Sequence, residues 1–293
     1  MTPQEERPKL TLALSATNLG IVYFKREDLH PYKSHKGRSI PFMIDWYKDK
    51  GSKDFVISSS GNAALAALLY IQEWNSKNTD DALSLTIFVG EKIAQAKFDL
   101  LKSTAKDSHV SVTQTTRPQQ SAFEASKRGK TLLRQSTDEV ALLGYATLAE
   151  ELGRIQNLEA IFIATSSGTT AEALHDFFKK GGVFPQIHIV QTTGCNPIAR
   201  EFEPSPLQEI SFADAIVDRT ALRKEKVINA VSASKGFGWI VSNQEIADAV
   251  NLVEQHEGLK ISPNGALSVA GLTKALSKNW QWKGAVVCVI TGR

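Results

Sequence analysis

Short apolar strands alternate with helices along almost the whole chain, and this alternation restricts the fold more than any other feature. The strand-like runs are rich in β-branched and other apolar residues and are bounded by turn residues. Strands with few polar positions are typical of a parallel sheet that is covered on both faces. The predicted strands are Ile21–Lys25, Phe55–Ser58, Leu85–Val89, Val110–Thr113, Ala160–Thr165, Ile187–Gln191 and Ala285–Ile290.

Helical patterns lie between most of these strands. Asp138 and Asn243 are candidate N-caps, and Gly153 and Gly258 lie where C-caps are expected. The predicted helices are Asn62–Trp74, Ala94–Lys102, Gln119–Arg128, Asp138–Leu152, Thr170–Lys179, Gln244–Glu257 and Ala266–Ser277.

The strand–helix pattern starts afresh near residue 150, which favours an α/β fold with two lobes, each with a mostly parallel sheet flanked by helices. The least regular segment is Glu203–Phe237, which contains Pro204 and Pro206. It predicts a surface excursion or a lid-like loop. Open α/β sheets bind ligands at the carboxyl ends of their strands, so the residues that follow strands are the candidates for a functional site.

Composition excludes several classes of protein. The 293 residues are 42% hydrophobic and 22% charged, with a net charge of +3, as in an ordinary folded protein without a nucleic-acid-binding field. Apolar stretches such as Ala63–Ile71 are far shorter than the ~20 residues that span a bilayer, and Met1–Leu10 does not resemble a signal peptide. With only Cys195 and Cys288, and no zinc-ligand spacing, we expect a cytoplasmic protein without a metal site.

The first chemical motif is Phe24–Arg38, in which a strand leads through a charged turn to Lys36 at a possible helix start. A lysine beside a helix N-terminus and other cations has a lowered pKa, which makes its amine a better nucleophile towards a carbonyl. A solvated basic loop is the alternative interpretation of the same charges.

Two further motifs each join a strand end to a helix start. Ser58–Ala66 and Thr165–Glu172 carry hydroxyl groups and glycine beside helix N–H groups, a combination that can hold an anion. Simple helix capping explains the same residues equally well. Glu172 would repel a phosphate at the second motif unless its carboxylate points away.

The last motif is Val286–Gly292, a buried strand that presents the hydroxyl of Thr291 at its carboxyl end. By itself it is consistent with a plain strand terminus. Cys195 and the histidines lack a convincing nucleophile–base arrangement.

Taken in order, the motifs resemble those of the fold-type II pyridoxal-phosphate (PLP) enzymes, the relatives of the tryptophan synthase β subunit, threonine synthase, serine/threonine dehydratase and cysteine synthase. The resemblance covers almost the whole chain. The matching segments are Lys25–Leu29 with Ser34–Lys36, Ser59–Ala63, Ser166–Thr170, Glu257–Leu259 with Ser262–Ala266 and Ala270–Leu272, and Thr291–Gly292.

The resemblance implies a role for each matching residue. Lys36 would be the Schiff-base lysine that later moves protons, and Asn62 would bond to the ring oxygen of the cofactor. Ser59, Ser60 and Gly61, with Asn62, would bind the carboxylate of an amino-acid substrate. The residues expected to hold the cofactor phosphate are Ser166, Ser167, Gly168, Thr169 and Thr170.

Thr291 would face the pyridine nitrogen of the cofactor. A hydroxyl cannot hold that nitrogen protonated as a carboxylate does, so the ring is a weaker electron sink. Side-chain elimination and replacement on an amino acid therefore fit better than transamination.

The same resemblance implies a division into domains. We expect residues 1–37 and 151–293 to form a larger cofactor-binding lobe and residues 38–150 a smaller, mobile lobe. A homodimer is expected, without a nucleic-acid or membrane partner.

Threonine synthase is the most similar branch, on Tyr145–Leu152, Gln191–Pro197 and the Thr-Gly ending. This branch would convert O-phosphohomoserine to threonine. A serine/threonine dehydratase, a cysteine synthase-like enzyme and a non-catalytic PLP-binding relative remain as alternatives. Four residues depart from the pattern of the family, namely Lys33, Gly37, Ser262 and Asn264.

Overall fold

The computed structural model of the protein describes residues 1–14, 19–205 and 210–292. Pro206 and Arg293 therefore lie outside the described residues. Within the described part, the chain forms two compact units, residues 1–30 with 145–293 and residues 31–144. The sequence-based boundaries fall after residues 37 and 150, whereas those of the units fall after residues 30 and 144. Lys36 thus belongs to the smaller unit.

The predicted elements follow one another in the predicted order, together with further elements, of which the helices Lys36–Lys48 and Lys224–Ala233 are the longest. The strands are β1 (Gln4–Glu6), β2 (Val22–Lys25), β3 (Asp54–Ser58), β4 (Ser84–Gly90), β5 (Val110–Thr115), β6 (Thr131–Leu132), β7 (Leu158–Ala164), β8 (Gln186–Thr192), β9 (Gly238–Val241) and β10 (Ala285–Val289). The helices are α1 (Pro8–Ala13), α2 (Lys36–Lys48), α3 (Asn62–Lys77), α4 (Gln95–Thr104), α5 (Pro118–Lys127), α6 (Val140–Leu143), α7 (Ala146–Leu152), α8 (Thr169–Lys180), α9 (Lys224–Ala233), α10 (Asn243–Glu257) and α11 (Pro263–Ser277). Single 3₁₀ turns are formed by Glu27–Leu29, Thr79–Asp81 and Ala199–Glu201.

The larger unit contains a six-stranded sheet in the order β1-β2-β10-β7-β8-β9. Only β1 is antiparallel to its neighbour within this sheet. Its core includes Phe24, Phe162, Trp239 and Trp282, all of which are buried. Because β7 and β10 are covered on both faces, their sequences are almost continuously apolar.

The smaller unit contains a parallel four-stranded sheet in the order β5-β4-β3-β6. Its separate core packs Ile44 of α2 and Leu68 of α3 with Phe55 of β3 and Ile87 of β4. The two parallel-dominated sheets flanked by helices confirm the predicted α/β fold class. Among the described residues, no helix has both the length and the apolar character that crossing a membrane requires.

The helix predicted over Asp138–Leu152 is wrong as a single element, because α6 ends at Leu143 and α7 begins at Ala146. A Cβ atom at Gly144 would lie 2.6 Å from Cα of Ser39, so the chain passes very close to α2 there. The Ser39 hydroxyl also donates to the carbonyl of Ala141 at 2.7 Å, which occupies an acceptor at the end of α6. Tertiary packing therefore interrupts a continuous helical pattern.

Other predictions differ at element ends and in the irregular segment. The N-cap of α10 is Ser242, which forms a reciprocal capping box with Glu245, whereas Asn243 is the first helical residue. Glu203–Phe237 contains α9, and β9 follows it as an unpredicted strand of only four residues. Gly153 and Gly258 occupy the C-caps of α7 and α10, as predicted.

Charged side chains of the first motif are buried and paired in the larger unit. Lys25 Nζ lies 2.5 Å from Glu151 Oε2 and donates to the Thr2 carbonyl. Arg26 makes two hydrogen bonds to Asp28. The interpretation as a solvated basic loop is therefore wrong for these two cations.

Candidate active site

The segment after β7 forms a tight connection to α8 in the larger unit. Gly168 is the N-cap of α8 and has a φ of +89°, a left-handed conformation that favours glycine. A Cβ atom there would overlap Cγ2 of Val227. The N–H groups of the first turn of α8 have no partner inside the helix, which suits an anion.

Hydroxyl groups surround this connection. The Ser167 and Thr169 hydroxyls lie 3.0 Å apart, and the Thr169 and Thr170 side chains are buried. The hydroxyl oxygen of Ser166 accepts from the N–H groups of Val217 and Asp218, at 3.2 Å each. Ser166 thus also fastens residues 217–218 to the connection, and its single proton remains available for donation to another group.

The carboxylate of Glu172 is neutralised by basic side chains at the start of α9. Arg223 Nη1 lies 2.9 Å from Glu172 Oε2, and Lys226 Nζ lies 3.5 Å from Glu172 Oε1. The predicted repulsion of a phosphate by Glu172 is therefore offset. Sequence inspection did not find Arg223, because 51 residues separate it from its partner.

Thr291 lies just beyond β10, which pairs in parallel with β7. The carboxyl ends of parallel neighbours meet at one sheet edge, so the structure brings Thr291 and residues 165–168 to the same edge of the larger unit. The side chain of Thr291 is buried.

Ser262, one of the departures from the family pattern, supports this strand tip. Its hydroxyl donates to the Gly292 carbonyl at 2.7 Å and accepts from the Gly265 N–H as the N-cap of α11. A Cβ atom at Gly265 would lie 2.9 Å from Cγ2 of Ile290. The start of α11 therefore holds the end of β10 in place.

Asn264, the second departure, has a separate role. Its side-chain oxygen accepts from the Ala215 N–H at 3.0 Å, and its side-chain nitrogen donates to Asp214 Oδ1 at 3.0 Å. Together with Ser166, it holds residues 214–218 in place. These residues belong to the segment that was predicted to be an irregular surface or lid-like loop.

The smaller unit carries the remaining predicted residues at two helix starts. Lys36 is the first residue of α2, and its N–H donates to the Ser34 hydroxyl at 3.3 Å. Lys33, a departure from the small residue usual in the family, has a φ of +69°. Glycine adopts that left-handed conformation most readily, whereas a lysine there is strained.

The predicted carboxylate-binding segment connects β3 to α3 in the same unit. Gly61 is the N-cap of α3, and its N–H donates to the Ser59 hydroxyl at 3.3 Å. Asn62 is the first residue of α3. Lys36 and Asn62 thus both begin helices of the smaller unit, and these two helices pack against each other.

Neither cysteine is suited to nucleophilic chemistry. Burial raises the pKa of Cys195 and raises that of Cys288 still further. A thiol that remains protonated is a weak nucleophile. The described residues also contain no group of three or more His, Cys, Asp or Glu side chains that could hold a metal ion.

The donor set of the larger unit fits a pyridoxal phosphate. Helix N–H groups and hydroxyls at residues 166–170 suit a phosphate, and Arg223 removes the opposing charge of Glu172. When bound, the cofactor supplies an aldehyde that bonds to amines and a ring that withdraws electrons from the carbon beside them.

The sequence profile described as "Pyridoxal-phosphate dependent enzyme" matches residues 1–292. The chain belongs to this family. The membership confirms the predicted enzyme class and the predicted cofactor, pyridoxal 5'-phosphate.

Known relatives of this PLP enzyme include threonine synthases. The threonine synthase of Halalkalibacterium halodurans is 24% identical over 98% of this chain and 84% of its own length. An L-threonine dehydratase of Mycobacterium leprae is 23% identical over 97% of this chain and 67% of its own length. Several further relatives are threonine synthases.

A solved structure of a PLP-dependent aspartate racemase has a TM-score of 0.81 to this chain, with 21% identity. The match covers 99% of this chain and 89% of the racemase. At this level of identity, the similarity confirms the fold alone.

Proposed function

We propose that the protein is a PLP-dependent lyase that acts on the side chain of an amino acid by elimination or replacement, specifically a threonine synthase. The observation that carries the reaction class is the residue just beyond β10, where Thr291 presents a hydroxyl in place of a carboxylate. A hydroxyl leaves the pyridine nitrogen unprotonated, so the ring is a weaker electron sink. Side-chain elimination and replacement therefore fit better than transamination. The relatives named threonine synthase support the choice of substrate.

The residue roles within this proposal follow the family pattern. Lys36 would hold the cofactor through its amine, and the same amine would be placed to move protons at the substrate carbons. Asn62 donates to the ring oxygen of the cofactor. Ser59, Ser60 and Gly61, with Asn62, hold the substrate carboxylate.

In the larger unit, the cofactor phosphate is held by helix N–H groups and hydroxyls, and Thr291 bonds to the ring nitrogen. The support is the arrangement at the start of α8. Gly168 has a left-handed φ there, and its contact with Val227 leaves no room for a Cβ atom. The residues proposed to contact the phosphate are Ser166, Ser167, Gly168, Thr169 and Thr170.

Borohydride reduction of the PLP-loaded protein, followed by peptide mapping, tests the lysine. We expect a pyridoxyl group on Lys36. Lys33→Ala provides the matched control, because it removes a nearby amine and is expected to leave the label in place. A label on any other lysine, or none, would contradict the assignment.

A substrate panel tests the reaction. We expect O-phosphohomoserine and water to yield threonine and inorganic phosphate, measured by amino-acid analysis and phosphate release. The M. leprae relative supports a second candidate, a dehydratase that converts serine or threonine to a 2-oxo acid and ammonia without a second substrate. Consumption of O-acetylserine would indicate a cysteine synthase-like enzyme. Cofactor absorbance without turnover of any of these substrates would indicate a non-catalytic relative.

We also propose a cytoplasmic homodimer in which residues 38–150 form a mobile lobe, on the basis of the family resemblance. Light scattering of the purified protein measures the oligomeric state, and a monomer would contradict the proposal. Hydrogen exchange with and without substrate measures the mobility of the smaller lobe.

A further inference from the structure

Gln191 is the second-last residue of β8, the strand that pairs with β7, and its side chain is fully buried. None of the roles proposed so far uses this amide. A buried amide needs partners for two N–H donors and two oxygen lone pairs, so its partners are informative.

All of the hydrogen-bonding capacity of the Gln191 side chain is used. Its Nε2 donates to the backbone carbonyls of Thr165 at 3.1 Å and Ser166 at 3.4 Å. Its Oε1 accepts from the N–H groups of Ile198 at 2.9 Å and Ala199 at 2.8 Å. One amide therefore ties the segment after β7 to the segment after β8.

The segment after β8 also packs against the connection between β7 and α8. Cδ1 of Ile198 would lie 3.4 Å from a Cβ atom at Gly168, the left-handed N-cap of α8. Gln191 thus restrains residues 165–166 directly and restrains Gly168 through Ile198. Only a side chain with both donors and acceptors can hold the two segments at once.

We propose that Gln191 is a positioning residue that sets the backbone of residues 165–168, so that the α8 N–H groups and the nearby hydroxyls face the cofactor phosphate. The inference depends on the proposed phosphate role of this connection. Anion binding by backbone N–H groups depends on their direction, so a small displacement of the connection weakens it.

The test compares two near-isosteric variants, Gln191→Glu and Gln191→Met. Glutamate keeps the acceptors for Ile198 and Ala199 but cannot donate to the two carbonyls when ionised, and methionine removes all four bonds. We expect the Kd for PLP, measured by absorbance titration, to rise about tenfold or more in both variants. The ³¹P resonance of the bound phosphate should also shift.

His188→Gln is the matched control on the same strand. His188 is equally buried, but Trp239 Nε1 donates to its Nδ1 at 3.1 Å, and its ring stacks on Phe162 within β7. We expect this variant to lower the free energy of unfolding while leaving the Kd and the ³¹P resonance unchanged. An equal change in the control and in the Gln191 variants would show a merely structural role for Gln191 and overturn the proposal.

Ser167→Ala and Thr169→Val distinguish the positioning role of Gln191 from the phosphate role of residues 165–168. If they weaken PLP binding and the Gln191 variants do not, the positioning role is wrong and the phosphate role of the connection is supported. If none of these variants alters the Kd, the phosphate role itself is wrong. Ile198→Val, a mild change, is expected to give a smaller rise in the Kd, which provides a test even if the Gln191 variants fail to fold.

Discussion

Oε2 of Glu172 lies 2.9 Å from Nη1 of Arg223, and both side chains are almost completely buried. Glu172 is in the first turn of α8, whereas Arg223 comes directly before α9, and α8 and α9 pack against each other. The ion pair therefore joins two helices and neutralises a carboxylate beside the proposed phosphate site.

Removal of the arginine should leave the buried carboxylate of Glu172 without its buried partner, while the mostly exposed Lys226 remains beside it. We expect Arg223→Met to lower the free energy of unfolding, measured by urea titration, by about 3–5 kcal/mol. The PLP Kd should also rise, because the Glu172 charge repels the phosphate. Lys226→Met, which removes a mostly exposed partner, should cost about 1 kcal/mol or less. If Glu172→Gln does not restore stability in the Arg223→Met background, the charge argument is wrong.

A methyl group at Gly168 should disrupt the start of α8. Gly168→Ala combines a left-handed φ with overlap against Val227, for which we expect a loss of about 1–3 kcal/mol from each cause. Gly182→Ala isolates the first cause, because Gly182 has a φ of +69° but open space around its Cβ position. Urea unfolding and PLP titration measure both variants. Equal losses of stability would show that contact with Val227 is unimportant.

His188 predicts a pH dependence of stability. Burial lowers its pKa from 6.5 to about 3, and its Nδ1 accepts from Trp239. Below pH 6.5 the unfolded chain binds a proton that the folded state excludes, so stability falls as pH falls, until about pH 3. The slope from this group approaches about 1.4 kcal/mol per pH unit.

Urea unfolding at several pH values compares the wild type with His188→Gln. The variant is expected to be less stable at neutral pH and to lose stability less steeply on acidification. Identical slopes would show that His188 is not the responsible group.

Asn264 should hold residues 214–218 in place. We expect Asn264→Ala to speed hydrogen exchange at the Ala215 N–H, since it removes the acceptor at 3.0 Å and costs about 1 kcal/mol. Asn243→Ala is the control, because Asn243 instead bonds to the backbone of Ile210 and Phe212. If both variants affect the same amides, the Asn264 contacts do not restrain this segment independently.

The local sequence pattern predicted the main strands well. Seven strands were expected and seven strands lie at those positions, with ends that differ by only one or two residues. A parallel strand that is buried on both faces is mostly apolar, and this tendency is visible in the sequences of β7 and β10. The four-residue β9 was missed because its pairing with β8, more than its own short pattern, makes it a strand.

The residues of the candidate site also divide into those that have a local sequence signature and those that have none. Lys36, Asn62, Gly168 and Thr291 were predicted as site residues from motifs, because glycines, hydroxyls and helix starts have local signatures. Gln191 was noticed only as part of a similar segment, since nothing in its neighbourhood shows that it bonds to residue 165.

The sequence by itself determined the α/β class, the order of the main elements and the residue types at the strand ends, because all of these depend on periodicity and turn chemistry over a few positions. Only the tertiary structure decided which buried polar groups pair. Glu172 with Arg223 and Asn264 with Ala215 join residues about 50 positions apart. Each buried polar group must find a partner, but the chain fold alone determines which distant residue is close enough to provide it.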